Sequence, residues 1–164
     1  MNCRPQSLKP GQTLVEFSLM IVLFLAVLFL IIEFGIVFAI YVGLTNSARE
    51  AARVGSIYQY PNPRSLNTST AAAAASAQNT VDDAREAAMN QAIDATLNPI
   101  IAANRAQLGT PQFTYQPDPG NSVYRYGEKL TVRLTYQRRV MFLLGSTDIT
   151  LASQSEMRIE PGGR

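Results

Sequence analysis

The sequence predicts an α+β protein, and two features of the 164-residue chain predict it. The first is a long apolar run near the N-terminus, residues 14–44, which contains no proline. The second is a change after Pro111 to alternating apolar and polar residues, the pattern of half-buried strands. We therefore expect a long N-terminal transmembrane and stalk helix, a second, Ala-rich helix, and a small antiparallel sheet of about three strands.

The composition excludes several classes of function. Only 16% of the residues are charged and 47% are hydrophobic, whereas about a quarter are charged in soluble domains, and the excess lies in the N-terminal run. The chain has no His and one Cys, which excludes a Ser-His-Asp triad, an imidazole base, a Cys-rich metal site and an intrachain disulfide. It has no Gly-rich phosphate-binding motif and no basic run with interleaved aromatics. We expect a protein that is not an enzyme and takes no metal, cofactor, small-molecule substrate or nucleic acid.

The apolar run is longer than a membrane requires. At a rise of about 1.5 Å per residue, residues 14–32 span roughly 27 Å, close to the hydrocarbon thickness of about 30 Å. One helix can therefore cross between the neighbourhoods of Glu16 and Glu33, and about a dozen apolar residues beyond it need a protein partner. A signal peptide has a shorter apolar region of about 7–15 residues, so we expect the helix to be retained. The role of Glu33 beyond the membrane interface is left open.

The start of this run carries an acidic residue. A short basic leader ends in Gly11, Gln12 opens the helix, and Glu16 follows within the apolar segment, next to Phe17. A carboxylate at membrane depth is costly, so Glu16 calls for a cationic partner. The other interpretation is that Glu16 lies in the headgroup zone as part of a first polar turn.

The far end of the same helix carries two arginines. Arg49 and Arg53 lie four residues apart on one face, with Glu50 between them in sequence and alanines on the other sides. They form either a docking face for the polar domain or a neighbouring subunit, or a solvated basic stripe attracted to lipid phosphates.

Two stretches of the chain resemble the TadE-like family of minor pilins or pseudopilins of the tight-adherence (Tad) system, a group of type IV pilin-like precursors. The first is KPGQTLVEF at residues 9–17, and the second, some thirty residues later, is SAREAARVG at residues 47–55. A weaker similarity covers residues 128–160. The expected α+β fold is therefore pilin-like.

The resemblance implies a processing site and an assembly residue. A prepilin peptidase would cut between Gly11 and Gln12, on the cytoplasmic side. Glu16, with Phe17 beside it, would pair with the N-terminal amine of a neighbouring subunit and set the register of the assembly.

The resemblance also implies a place and a role. The chain would be a single-pass protein of the bacterial cytoplasmic (inner) membrane, with a cytoplasmic N-terminus and an extracytoplasmic domain. Its partners would be membrane lipid, the prepilin peptidase, other pilin and pseudopilin subunits, and the inner-membrane assembly platform. Its function would be structural, in assembling or anchoring a tight-adherence pilus or secretion apparatus. The competing hypothesis is a single-span, membrane-anchored periplasmic domain that binds a partner or ligand and has no pilus role.

Four segments follow from these patterns: a leader (1–11), the transmembrane and stalk helix (12–57), a linker (58–70) and the extracytoplasmic domain (71–164). Pro61 and Pro63 break the first helix, and Thr70 is a candidate N-cap for the Ala-rich helix.

The Ala-rich segment has two interpretations, a helix or low-complexity disorder. Pro99 is expected to bend or restart the helix. The expected apolar face of the Ala-rich helix consists of Ala77, Val81, Ala84, Ala88, Ala92 and Ala95.

The strands are predicted from period-two patterns. Phe113 and Tyr115 mark one strand, residues 116–121 form a loop, and Gly145 and Ser146 mark a turn. The expected inward faces of the two long strands are Leu130, Val132, Leu134 and Tyr136, and then Ile149, Leu151, Ser153, Ser155, Met157 and Ile159. The projecting half of the first helix and the Ala-rich helix are expected to cover them. Charges on the sheet (Arg125, Arg133, Arg138, Arg139) and on the second helix (Asp82, Asp83, Glu86) are expected to be solvated or to steer subunit association.

Overall fold

The structure is a computed structural model that describes residues 10–116, 123–142 and 145–161. Its helices are α1 (Pro10–Ile57), α2 (Ala71–Thr96) and the short α3 (Pro99–Ala103), with 3-10 turns at Pro63–Ser65 and Arg105–Gln107. Its strands are β1 (Gln112–Gln116), β2 (Lys129–Phe142) and β3 (Gly145–Arg158). The three strands form an antiparallel sheet in the order β1-β2-β3. The molecule therefore has the α+β fold that the sequence predicts.

Helix α1 has two halves with different surroundings. Its most apolar 18-residue window has a mean hydropathy of 3.0 and none of it is buried, so by length and composition this part of the helix can cross a membrane. The C-terminal half buries one face in the core, with Ile40, Leu44, Ala48, Ala51 and Ala52 fully buried. A single helix thus provides both a segment able to cross a membrane and the central element of the head.

The sheet covers the buried face of α1. Strands β2 and β3 both pack on it, and the four predicted inward residues of β2, from Leu130 to Tyr136, are fully buried. The predicted inward face of β3 is also confirmed, since its alternate residues are buried or half-buried. Helix α2 packs against α1, and Met89 and Ile93 join the same core.

The ends of the helices follow the predicted signals. Thr70 caps α2 by accepting a hydrogen bond from Ala73 N at 3.1 Å. Pro99 begins α3 as predicted, and the side chain of Asn98 caps it by accepting from Ile100 N at 2.9 Å. The Ala-rich segment is helical, so disorder was the wrong interpretation.

The predicted face of α2 is partly wrong. Ala77 and Val81 are buried, but Ala84, Ala88 and Ala92 are only half-buried and Ala95 is exposed. The buried set instead continues through Asp82, Arg85, Met89 and Ile93. The physical reason is that the two charged residues are paired with other groups and can therefore be buried.

The predicted turn at Gly145 and Ser146 is also wrong. Both residues belong to β3, where they pair with Phe142 and Met141 of β2. The hydrogen-bonded ladder between β2 and β3 continues as far as the pair of Phe142 and Gly145, so Gly145 and Ser146 are part of β3. Residues 1–9 of the predicted leader and residues 117–121 of the predicted loop lie outside the described residues.

Candidate functional site

The predicted cleavage site lies in the first turn of α1. Gly11 and Gln12 are exposed, and a side chain at Gly11 would meet nothing within 4 Å. Proline at the first helical position is favourable, because it has no backbone N–H to leave unpaired. A peptidase acting between Gly11 and Gln12 would therefore meet accessible backbone in helical conformation.

Glu16 lies one turn further along the same exposed surface. Gln12 Nε2 donates a hydrogen bond to Glu16 Oε1 at 3.2 Å, and Phe17 beside it is 66% exposed. Within the described residues, no ion pair involves Glu16. The carboxylate therefore accepts one hydrogen bond from a neutral amide, and its remaining acceptor sites can still bind a cation.

Glu33, the second acidic residue of the apolar run, has a different environment. Arg138 Nη2 donates to Glu33 Oε1 at 3.1 Å, and the two side chains are only 18% and 21% exposed. This pair is not among the sequence-based predictions, although the sequence carries a signal for it. Arg138 continues the inward alternation of Leu134 and Tyr136 along β2, so it had to point toward whatever covers the sheet.

The arginines near the end of α1 face away from the head. Arg53 makes a two-point contact with Glu50, at 2.6 Å and 3.0 Å, and that hydrogen bonding lowers the pKa of the Glu50 carboxyl. Arg49 is exposed. The chain's own head packs instead on the alanine face of α1, so Arg49, Glu50 and Arg53 remain on the outer surface.

The face of α1 that holds the head is built from small residues. A Cβ added at Gly43 would lie 2.8 Å from Asn98 Cβ, and one added at Gly55 would lie 2.6 Å from Leu130 Cδ2 and would also collide with Met89. Together with Ala48, these residues let α2, α3 and the sheet approach the helix backbone closely.

A buried charge cluster joins α2 to the segment before β2. Arg85 Nη1 donates to Asp82 at 3.0 Å and its Nη2 donates to the Tyr124 carbonyl at 2.9 Å. Arg125 bonds Asp82 at 2.8 Å and Glu128 at 3.2 Å. Asp82 and Arg125 are therefore paired with each other inside the molecule, and the expectation that they are solvated or steer association is wrong.

Electrostatics and aromatic contacts fit a structural role for this cluster. Burial raises the pKa of Asp82, while the hydrogen bond and charge of Arg125 and the charge of Arg85 oppose that rise. The guanidinium of Arg125 lies 4.4 Å from the centre of the Tyr115 ring. In the part of the chain that the structure describes, no cluster of His, Cys, Asp and Glu could hold a metal ion.

These features define a class of protein: one exposed apolar N-terminal helix suited to a membrane, with an α+β head built on its C-terminal half. The family model described as TadE-like protein matches residues 11–53, which include Gly11, Glu16 and the Arg49–Arg53 segment. The match covers 43 of the 164 residues and confirms the resemblance of this chain to the TadE-like family, whose members are associated with tight-adherence pili. No curated protein and no solved structure matches the chain.

Proposed function

We propose that this chain is a structural, membrane-anchored minor pilin or pseudopilin that takes part in assembling or anchoring a tight-adherence pilus or secretion apparatus. Helix α1 inserts it into the bacterial cytoplasmic membrane, with the N-terminus in the cytoplasm and the head outside. A prepilin peptidase removes residues 1–11. The role is structural and not catalytic.

The observation that carries this proposal is the difference between the two acidic residues of the apolar run. Glu33 is paired with Arg138 of its own head at 3.1 Å. Glu16 is exposed, and its neighbour at 3.2 Å is the uncharged side chain of Gln12. A carboxylate kept in an apolar segment without a cation from its own described fold is best explained by a cation from another molecule.

Cleavage after Gly11 would supply that cation. The new α-amino group at Gln12 would be charged at neutral pH and would lie one helical turn from Glu16 of the same chain. In an array of parallel helices, the amine of one subunit can pair with Glu16 of the next, which fixes their relative height. The exposed surface formed by Arg49, Glu50 and Arg53 would then be available for contacts with neighbouring subunits or the assembly platform.

The first test is the intact mass of the protein extracted from membranes of a cell that carries the peptidase. Loss of residues 1–11 is expected, and Gly11→Leu should abolish that loss because a branched side chain replaces the small residue before the scissile bond. An uncleaved wild-type chain would contradict the processing site and favour the competing hypothesis, a membrane-anchored binding domain.

The second test concerns assembly. Glu16→Gln keeps the size of the side chain but removes its charge, so crosslinking to other pilin subunits should be lost while membrane insertion and cleavage persist. Ser18→Ala is the matched control, because Ser18 lies on the same apolar helix and its hydroxyl is satisfied by its own backbone, donating to Leu14 O at 2.8 Å. Undiminished crosslinking of the Gln variant would refute the pairing of Glu16 with a neighbour.

A further inference from the structure

The β2–β3 hairpin runs along α1 toward the membrane-spanning half. Three contacts mark its direction, from the end of α1 toward its start: Glu160 N to Ser56 O at 2.9 Å, Ser153 Oγ to Thr45 Oγ1 at 3.2 Å, and Arg138 Nη2 to Glu33 Oε1 at 3.1 Å. The far end of the hairpin therefore points toward the apolar segment of α1 that ends at Ile32.

The hairpin continues past the last of these contacts. The ladder adds four residue pairs beyond Arg138, ending at the pair of Phe142 and Gly145. At about 3.3 Å per residue this extension adds roughly 13 Å, equivalent to about nine residues of helix. The end of the hairpin thus lies at the level of the last apolar turns before Glu33, where α1 itself is exposed.

The composition changes at the same level. Residues 140–147 read VMFLLGST and carry no charge. The charge-free stretch is bounded by an exposed ion pair between Arg139 and Asp148, at 3.0 Å, and by the pair of Arg138 and Glu33. Val140 is buried, whereas Met141 on the opposite face of β2 is 73% exposed.

We infer that this end of the hairpin, residues 140–142 of β2 with residues 145–147 of β3, enters the lipid leaflet nearest the head, beside α1. The inference rests on the membrane anchoring in the proposed function. The occupant is lipid because the hairpin end lies at the level where α1 exposes its apolar residues to the bilayer. Arg138 and Arg139 then lie at the level of the headgroups, where guanidinium groups bind phosphate.

The depth of insertion is limited by the backbone. Within the described residues, the outer edge of β2 pairs with β1 from Lys129 to Arg133 and with Leu108 and Gly109 at Tyr136 and Thr135, so beyond Tyr136 no strand pairs with its outward N–H and C=O groups. Such groups are costly in hydrocarbon. The hairpin end therefore remains at the boundary between headgroups and acyl chains, with Met141 in contact with lipid and the Arg139–Asp148 pair in the headgroup layer.

The test uses the full-length chain in liposomes of phosphatidylethanolamine and phosphatidylglycerol, with Cys3 replaced by Ser. Single-cysteine variants Met141→Cys, Arg133→Cys and Leu25→Cys are labelled with an environment-sensitive fluorophore and quenched, in separate samples, with lipids that carry a spin label near the headgroup or deep in the acyl chain. Arg133 is the matched control, because it lies on the same exposed face of β2 eight residues further from the tip, roughly 26 Å away in a strand. Leu25 reports insertion of α1. Since Met141 is exposed, its replacement leaves the core intact.

We expect blue-shifted emission at positions 25 and 141, with quenching by the deep label at 25 and by the headgroup label at 141, and emission typical of water with little quenching by either label at position 133. Quenching at 25 with position 141 behaving like position 133 would overturn the inference and leave the membrane anchor standing. Quenching at neither 25 nor 141 would contradict the anchor and the inference with it. If protection at 141 disappears as the protein is diluted in lipid, the occupant is another protein chain and the inference is wrong.

Discussion

Arg85 shows, at the scale of single residues, how the head tolerates charge inside it. The side chain is 1% exposed, and its two terminal nitrogens bond Asp82 and the Tyr124 carbonyl. Its Nε has no hydrogen-bond partner within the described residues. Such a group is a weak net stabiliser, yet removing it leaves its partners unsatisfied. Arg85 therefore acts mainly by positioning, because its hydrogen bonds hold the segment before β2 against α2.

We expect Arg85→Met to lower the free energy of unfolding by about 2–4 kcal/mol, because it leaves Asp82 with one cation fewer and the Tyr124 carbonyl without its donor. The control is Arg105→Met, which removes an exposed ion pair with Asp94 and should cost less than about 1 kcal/mol. Denaturant unfolding of the full chain in mild detergent, followed by circular dichroism, measures both. Equal effects of the two variants would show that the cluster is not a structural element.

Glu86 should make stability depend on pH. Burial raises the pKa of its carboxyl above the ordinary value of 4.5, and the negative charges of Asp82 and Asp83 raise it further. A raised folded pKa favours the protonated form, so this contribution is full below the ordinary pKa and is lost as the pH rises through the folded pKa.

Glu86→Gln should therefore raise the melting temperature at pH 7 and have little effect at pH 4. The gain should be small, because Glu86 is only half-buried and partly solvated. Thermal melting of both proteins across this pH range tests the sign. Glu160→Gln, at an exposed position, shows the effect of removing one negative charge elsewhere. A gain that is equal at both pH values would contradict the assignment.

At the scale of elements, the small residues of α1 decide how closely the head can pack. Ala48, Ala51 and Ala52 are fully buried, and Gly55 lies against Met89 and Leu130, both of which are also fully buried. A larger side chain at Gly55 has no empty space to enter. The C-terminal half of α1 therefore acts as the flat surface on which α2 and the sheet are assembled.

We expect Gly55→Val to lower stability by about 1–3 kcal/mol through overpacking. Gly35→Val on the same helix is the control, because a side chain there meets nothing within 4 Å. Thermal unfolding in detergent should show a drop of several degrees for the first variant and a much smaller change for the second. Equal shifts would mean that helix propensity, and not contact with the head, determines the effect.

At the scale of the whole molecule, contacts at both ends hold the head on α1. Near the end of the helix, Glu160 N donates to Ser56 O at 2.9 Å, and at the other end of the head Arg138 pairs with Glu33. The second contact connects the exposed apolar half of α1 directly to the sheet. It also gives Glu33 a role that its position in the apolar run left open.

Glu33→Gln should loosen the membrane-proximal end of the hairpin while leaving insertion intact. The half-buried Arg138 would lose its counter-charge, so hydrogen exchange of the β2 and β3 amides near residues 137–142 and 145–149 should accelerate. Glu156→Gln, which removes the exposed pair with Lys129 at the other end of the sheet, should leave those amides unchanged. Unchanged exchange in the Glu33 variant would show that the pair does not hold the hairpin.

The sequence by itself determined the elements whose signals are local. The apolar run and the absence of proline specified α1, the capping signals at Thr70 and Pro99 specified the starts of α2 and α3, and the period-two pattern specified which faces of β2 and β3 are buried. The motifs at residues 9–17 and 47–55 indicated the resemblance to the TadE-like family that the match over residues 11–53 confirms. These features depend on residues that are close together in the chain, so the sequence predicts them without knowledge of the tertiary structure.

Only the tertiary structure decided which distant groups meet. Asp82 and Arg125 are 43 residues apart and Glu33 and Arg138 are 105 apart, and each pair forms because packing of the sheet and α2 on α1 brings the partners together. The same packing buries Arg85 and Met89 of α2, where the sequence predicted a face made mainly of alanines. The hydrogen-bonded ladder between β2 and β3 includes Gly145 and Ser146, where the sequence predicted a turn. Ion pairs and strand registers depend on contacts between residues that are distant in the chain. A charged side chain can be buried at low cost only where the fold places a partner of opposite charge beside it.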